Sequence, residues 1–137
     1  MATTRTWIAG SVAAVLAVTF VCLAAAQNDL EPKNRQELKR EDMAGTNMEV
    51  IISVVEAQPG EMLARHIHHG EEAFYTLQGA TLETPDGKQI KLATGSAGVN
   101  HRDVPHAGAK VVGDTPFKYL AVHVVDKGKP LYDAPPK

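Results

Sequence analysis

Cysteine is nearly absent from this 137-residue chain: Cys22 is the only one. One thiol forms no disulfide within the chain. Its isolation also argues against thiolate-bound zinc and against a thiol-crosslinked cofactor. Blocks of like charge are missing too. Fourteen Lys and Arg stand against sixteen Asp and Glu, and the basic residues are scattered. That distribution argues against nucleic acid as a partner and against a polybasic membrane surface. No internal repeat and no long amphipathic helical pattern is visible.

One long apolar run is present, at the N-terminus. Met1 to Trp7 carries one positive charge, Arg5, and no acid; Ile8 to Leu23 is almost wholly apolar. Ala24-Ala25-Ala26 supplies small residues, and Gln27-Asn28-Asp29 turns polar at once. This order is that of a secretory signal peptide over residues 1–26, with cleavage after Ala26. The alternative is an uncleaved anchor, since Ile8 to Ala26 is just long enough to span a bilayer. No Arg-Arg pair precedes the run, so a twin-arginine signal is not indicated. Thr19-Phe20-Val21 is a poor lipoprotein context for Cys22. The expectation is an exported protein, periplasmic or extracellular, with no stable membrane anchor. After residue 26 the net charge is −3, and 111 residues remain, enough for one modest core.

Residues 27–48 are charged and read as a polar arm, with a short helix over Lys33 to Asp42. Glu49 to Ala57 is dense in Val and Ile and predicts a strand. Pro59-Gly60 is a turn, Met62 to His68 a second strand, and Glu72 to Gln78 a third. Gly79 to Thr84 and Lys88 to Ala93 flank the hairpin turn Pro85-Asp86-Gly87. Gly95, Gly98, Pro105 and Gly108 punctuate short extended pieces. Pro116 to Val125 is the last strand, and residues 127–137 form a tail. Short strands separated by Gly and Pro predict an all-β domain, a single antiparallel barrel or sandwich over residues 49–126.

Within it stands G-x5-H-x-H-x3-E-x6-G, from Gly60 through His66, His68 and Glu72 to Gly79. Two histidines spaced by two point to one face of a strand. Glu72, beyond a tight turn, can face them from the next strand. Two imidazoles and a carboxylate suit first-row divalent metals. Glu71 is the rival carboxylate; the alternation with Phe74 and Thr76 favours Glu72. Gly60 and Gly79 sit where a Cβ is costly.

This motif resembles the first motif of the cupin superfamily, and the chain resembles its small single-domain members over about Glu49 to Val125. The second cupin motif resembles the segment from Gly95 to Val104-Pro105-His106-Ala107-Gly108, where His106 matches the expected histidine. Lys110 stands where the family often has Asn, and Ser96 where it often has Asp. The resemblance implies a jelly-roll barrel, one metal on His66, His68, Glu72 and His106, and often a homodimer.

Other residues have plainer readings. His69 reads as a solvated turn histidine, and His101 as a residue near the barrel mouth. His123, between Val122 and Val124, faces the interior if those two pack outward, as a base behind the ligands or a substrate contact. Phe74, Phe117 and Tyr119 read as core. Tyr75 falls on the outward parity and is a candidate for a dimer face.

The expected function is that of an exported mononuclear metalloprotein, an oxidoreductase of dioxygenase type acting on a small oxygenated molecule. Glu72 and His123 are the candidate catalytic residues. Fe, Mn or Ni is the expected metal, with Zn and Cu as alternatives, since an N3O set accepts the whole series. A non-catalytic module binding a small ligand through the metal, and a metal-dependent isomerase or epimerase, remain open, because fold does not choose among them.

Overall fold

A computed structural model describes residues 29–137. The expected signal peptide therefore lies outside the described residues. Nine strands follow in chain order: β1 Arg35–Asp42, β2 Met48–Ala57, β3 Met62–Leu63, β4 Gly70–Gln78, β5 Ala80–Glu83, β6 Gln89–Leu92, β7 Ala97–Asn100, β8 Ala109–Val112 and β9 Phe117–Asp126. They form two antiparallel sheets, ordered β1-β2-β9-β4-β7 and β3-β8-β5-β6. Among the described residues there is no helix, so none is long and apolar enough to cross a membrane.

Alternation builds the interior. Every second residue of β2 and β9 is buried, and the residues between are only half-covered. Val55, Tyr119 and Ala121 from the larger sheet pack with Leu63, Leu82 and Val111 from the smaller one. This is the period-two pattern of strands with one face on a core. The cross-strand register then fixes the site. Ile51 pairs with His123, His123 with Glu72, and Glu72 with Asn100. One inward row thus carries Ile51, His123, Glu72 and Asn100 across four strands.

The two glycines that bracket the first motif are required for different reasons. Gly60 has φ +87°, the left-handed region. At Gly79 an added Cβ would lie 2.4 Å from the Leu92 carbonyl oxygen. The Pro85-Asp86-Gly87 turn is as expected, closed by Gly87 N–H donating to Thr84 O at 2.9 Å.

Three expectations are corrected. The helix over Lys33 to Asp42 is instead strand β1, paired antiparallel with β2. Its charged sequence has good helix propensity, but β2 offers an open edge, and charged residues suit an edge strand. Arg35 donates to Ser53 Oγ at 2.6 Å, and Arg40 to the buried Glu49 carboxylate at 2.6 Å, which ties the strand down. The expected strand Met62 to His68 is laddered only over Met62–Leu63, because its distal part has two different partners: His66 bridges to His106, and Ile67 to Asp133. The C-terminal tail is therefore not free. It folds back on the motif and buries Tyr132.

Candidate metal centre

The site begins with backbone. His66 and His106 exchange hydrogen bonds, His66 N–H to His106 O at 3.2 Å and His106 N–H to His66 O at 3.0 Å. That bridge joins the two motif segments at their histidines. On the far side, Ile67 and Asp133 exchange bonds of 2.9 and 3.1 Å. His66 and His68 are thus held on a short extended segment between two partners. The loop reaching His106 is strained, with positive φ at Asp103 (57°) and Ala107 (58°).

The side chains converge. His66, His68, Glu72 and His106 each place one donor atom within 4.8 Å of all the others. Three are buried, and His106 is half-buried. The Nε2 atoms of His66 and His68 are 3.1 Å apart. His68 Nε2 lies 3.3 Å, and His106 Nε2 3.4 Å, from Glu72 Oε2. Two donors each about 2.1 Å from a divalent ion lie about 3.0 Å apart at a right angle and about 3.4 Å apart at a tetrahedral angle. The observed spacings fall in that range.

Hydrogen bonding sets the tautomers. His66 Nδ1 donates to Ala64 O at 2.7 Å, His106 Nδ1 to Val104 O at 2.9 Å, and His68 Nδ1 to Leu131 O. With its proton on Nδ1, each neutral ring presents a bare lone pair at Nε2. Three lone pairs then face one another and a carboxylate. Among the described residues the buried His106 Nε2 has no hydrogen-bond partner. A divalent cation among these donors would relieve the repulsion between their lone pairs. The residues present therefore fit a metal of the N3O type.

Electrostatics agree. Burial pushes His66 down to about 4 and His123 down to about 3, so both rings are neutral at pH 7. Burial works to raise the Glu72 carboxyl, but the His106, His68 and His123 rings around it overcome that and hold the group ionised, well below the usual carboxylate range. Asn100 Nδ2 donates to Glu72 Oε2 at 2.7 Å and fixes the carboxylate plane. Glu72 Oε1 lies 3.5 Å from His123 Nε2, and among the described residues neither buried His123 ring nitrogen has a hydrogen-bond partner.

A family model described as a cupin domain matches residues 53–123, over half of the chain. The chain belongs to the cupin domain family. A cupin-like likeness extends to solved structures. A conserved protein with a double-stranded beta-helix domain from Klebsiella pneumoniae is 21% identical with a TM-score of 0.56, covering 82% of this chain and 90% of that one. The DMSP lyase DddQ from Ruegeria pomeroyi is 19% identical with a TM-score of 0.54, covering 83% of this chain and 57% of that one. At such identity both show the fold alone. No curated protein matches the chain.

In this cupin the first motif supplies His66, His68 and Glu72 and the second supplies His106, and the barrel brings all four together. Glu71 is exposed and meets His101 Nδ1 at 2.9 Å, so it lies outside the cluster along with that histidine. His123 points inward but stands behind Glu72, not on the cavity wall. His69 is not a solvated turn histidine. It is half-buried, 3.0 Å from Asp103 Oδ1 and 3.1 Å from Asp133 Oδ2, and it clasps loop and tail together. Phe117 and Tyr119 are core as expected; with Phe74 they also line a cavity beside the site. Tyr75 is exposed.

Two contributors escaped the sequence reading. Asn100 carried a weak signal, since it shares parity with Gly98 on a short extended piece. The Leu131–Tyr132 pair carried none: an isolated aromatic in a tail with Pro130, Pro135 and Pro136 reads as surface. Yet the Tyr132 ring lies 4.8 Å from that of His66 and 5.1 Å from that of His68.

Proposed function

We propose that this cupin holds one divalent transition metal on His66, His68, Glu72 and His106 and acts as an oxidoreductase of dioxygenase type on a small oxygenated molecule. The carrying observation is the convergence of three Nε2 lone pairs, each backed by an Nδ1 bond to a carbonyl, on one ionised carboxylate. When bound, a redox-active metal such as Fe, Mn or Ni supplies Lewis acidity and electron-transfer chemistry toward dioxygen, whereas Zn supplies Lewis acidity alone. The chain's own residues do the rest. Glu72 holds negative charge at a fixed place, with Asn100 on one oxygen and His123 behind the other. A proton taken up at Glu72 Oε1 has the neutral His123 Nε2 as its nearest acceptor. Apolar side chains line the cavity beside the site.

The test is dioxygen consumption by protein reconstituted with Fe(II), Mn(II) or Ni(II) and offered small enols, diketones and catechols. Turnover that needs the metal and stops in Glu72→Gln supports the oxygenase. Tight binding of the same compounds without turnover supports a second reading, a ligand-binding module. One observation favours that alternative: among the described residues, the cavity walls offer no acid or base apart from the candidate ligands and Tyr119, whose phenol burial raises well above its ordinary range.

The assembly we propose is a homodimer through the outer face of the larger sheet. Leu120, Tyr75 and Ala97 form one cross-strand row there, and Val122, Ala73 and Val99 the next. Tyr75 and Val99 are about half exposed, and contiguous apolar surface of this kind marks an interaction site. Export rests on the N-terminal pattern and is tested by cell fractionation.

A further inference from the structure

Residues 29–34 precede β1 and belong to no strand, yet they help to enclose the interior. Leu30 and Pro32 are half-buried and line the cavity beside the cluster, about 220 Å³, which His66, Glu72 and His106 also line. The same two side chains line a second cavity of about 300 Å³, together with Gly60, Glu61 and Met62. Leu63 and Ala64 are common to both. The two cavities thus meet at Leu63 and Ala64, with Leu30 and Pro32 as the partition between them.

The partition is attached to the barrel at two distinct places. Pro32 O accepts from Arg35 N–H at 3.2 Å, which closes a turn over residues 32–35, and Asn34 O accepts from Glu56 N–H at 3.3 Å. These bonds fix the end next to β1. Beyond the turn, the Glu31 carboxylate meets Arg35 Nε at 2.5 Å. Arg35 is held independently, because it also donates to the fully buried Ser53 Oγ at 2.6 Å. Breaking the Glu31 pair therefore leaves Arg35 in place and releases the segment on its N-terminal side. An ion pair with a partly exposed partner is a modest restraint. A short segment outside the sheets opens at less cost than the domain unfolds. A turn that absorbs the backbone change, an apolar plug and an ion-pair latch are the parts of a lid.

We propose that residues 29–34 are a lid, hinged at the 32–35 turn and latched by Glu31 to Arg35, whose opening joins the two cavities and widens the route to His66, Glu72 and His106. The closed form covers Leu30 and Pro32, and the open form exposes them. This device does not depend on a bound metal.

The experiment reads access with an introduced thiol, in the full chain carrying Cys22→Ser and with no metal added. Leu63→Cys places the thiol where the cavities meet; Val55→Cys places it in the core, where it lines neither cavity. Dithiodipyridine, a neutral aromatic disulfide, reports the rate of modification. Leu30→Asp sets a charge against apolar walls and should speed the reaction of the Leu63→Cys protein about tenfold. Glu31→Gln should speed it about threefold. The rate in the Val55→Cys protein should stay the same with either change. The charge added by Leu30→Asp disfavours a nearby thiolate, so a faster reaction there reports opening rather than a more reactive thiol. An unchanged rate at Leu63→Cys with both lid substitutions, or an equal acceleration at Val55→Cys, would overturn the lid. Should Leu63→Cys fail to fold, Ala64→Cys, a smaller change at the same junction, is read in the same way.

Discussion

His66 and His68 aim lone pairs at each other across 3.1 Å in the interior of the protein. Its stability should follow pH accordingly. His66 is pushed to about 4 and His123 to about 3. The folded state therefore binds fewer protons than the unfolded chain once pH falls below about 6.5. Glu72, held below the carboxylate range, acts with the same sign at lower pH. All three contributions are complete at neutral pH and are lost on acidification. Urea unfolding in EDTA should show stability falling by about 2 kcal/mol or more from pH 7 to pH 5. A flat profile would contradict the burial of neutral histidines. Asn100 makes a separate prediction. Asn100→Ala removes the donor to Glu72 Oε2, and metal affinity should fall about 10- to 100-fold in a chelator competition while the fold persists. At this scale the sequence reveals much. The i, i+2 histidines and the carboxylate four residues on were legible because strand parity and a tight turn are local rules. Asn100 was not, because its role depends on a cross-strand register that local pattern does not carry.

Among the elements, β1 and the C-terminal segment were misread for one reason: each is defined by a distant partner. β1 has the composition of a solvated helix, and it became a strand through the free edge of β2 and the reach of Arg35 and Arg40 to buried partners. The tail holds each residue of the His66–His69 stretch in turn. Tyr132 packs on His66, Asp133 bridges Ile67, Leu131 O accepts from His68, and Asp133 Oδ2 meets His69. Removing residues 131–137 should leave the barrel folded, since the core cluster contains none of them. Metal affinity should fall by about 10- to 100-fold, because His68 loses the acceptor that sets its tautomer. Unchanged affinity in the truncated protein would return the segment to the status of a tail. The hairpin at Pro85-Asp86-Gly87 and strands β2 and β9 were legible, because turn chemistry and period-two alternation need no distant information.

For the molecule as a whole, two antiparallel sheets enclose an interior whose deepest row mixes an aliphatic side chain with His123 and Glu72. Burying that much polarity is unfavourable without a compensating partner, and the proposed metal is that partner. The outer face carries the opposite anomaly, apolar residues exposed to water. Tyr75→Glu should convert the proposed dimer to monomer in sedimentation equilibrium with metal content unchanged. A wild-type monomer would remove the case for that face. The all-β class and single barrel were legible from strand spacing and turn residues. The cavity was not, since its walls come from both sheets and its volume depends on packing.

The central claim is that four side chains from two separate motifs hold one ion. It is tested most directly by elemental analysis of purified protein, loaded with a divalent metal and dialysed, in wild type, His66→Ala, Glu72→Gln and His106→Ala. The account predicts one metal per chain in wild type and loss of that metal in each variant, with all four proteins giving the same β-sheet circular dichroism. A wild-type protein that retains no metal, or a His106→Ala variant that retains as much as wild type, would contradict it.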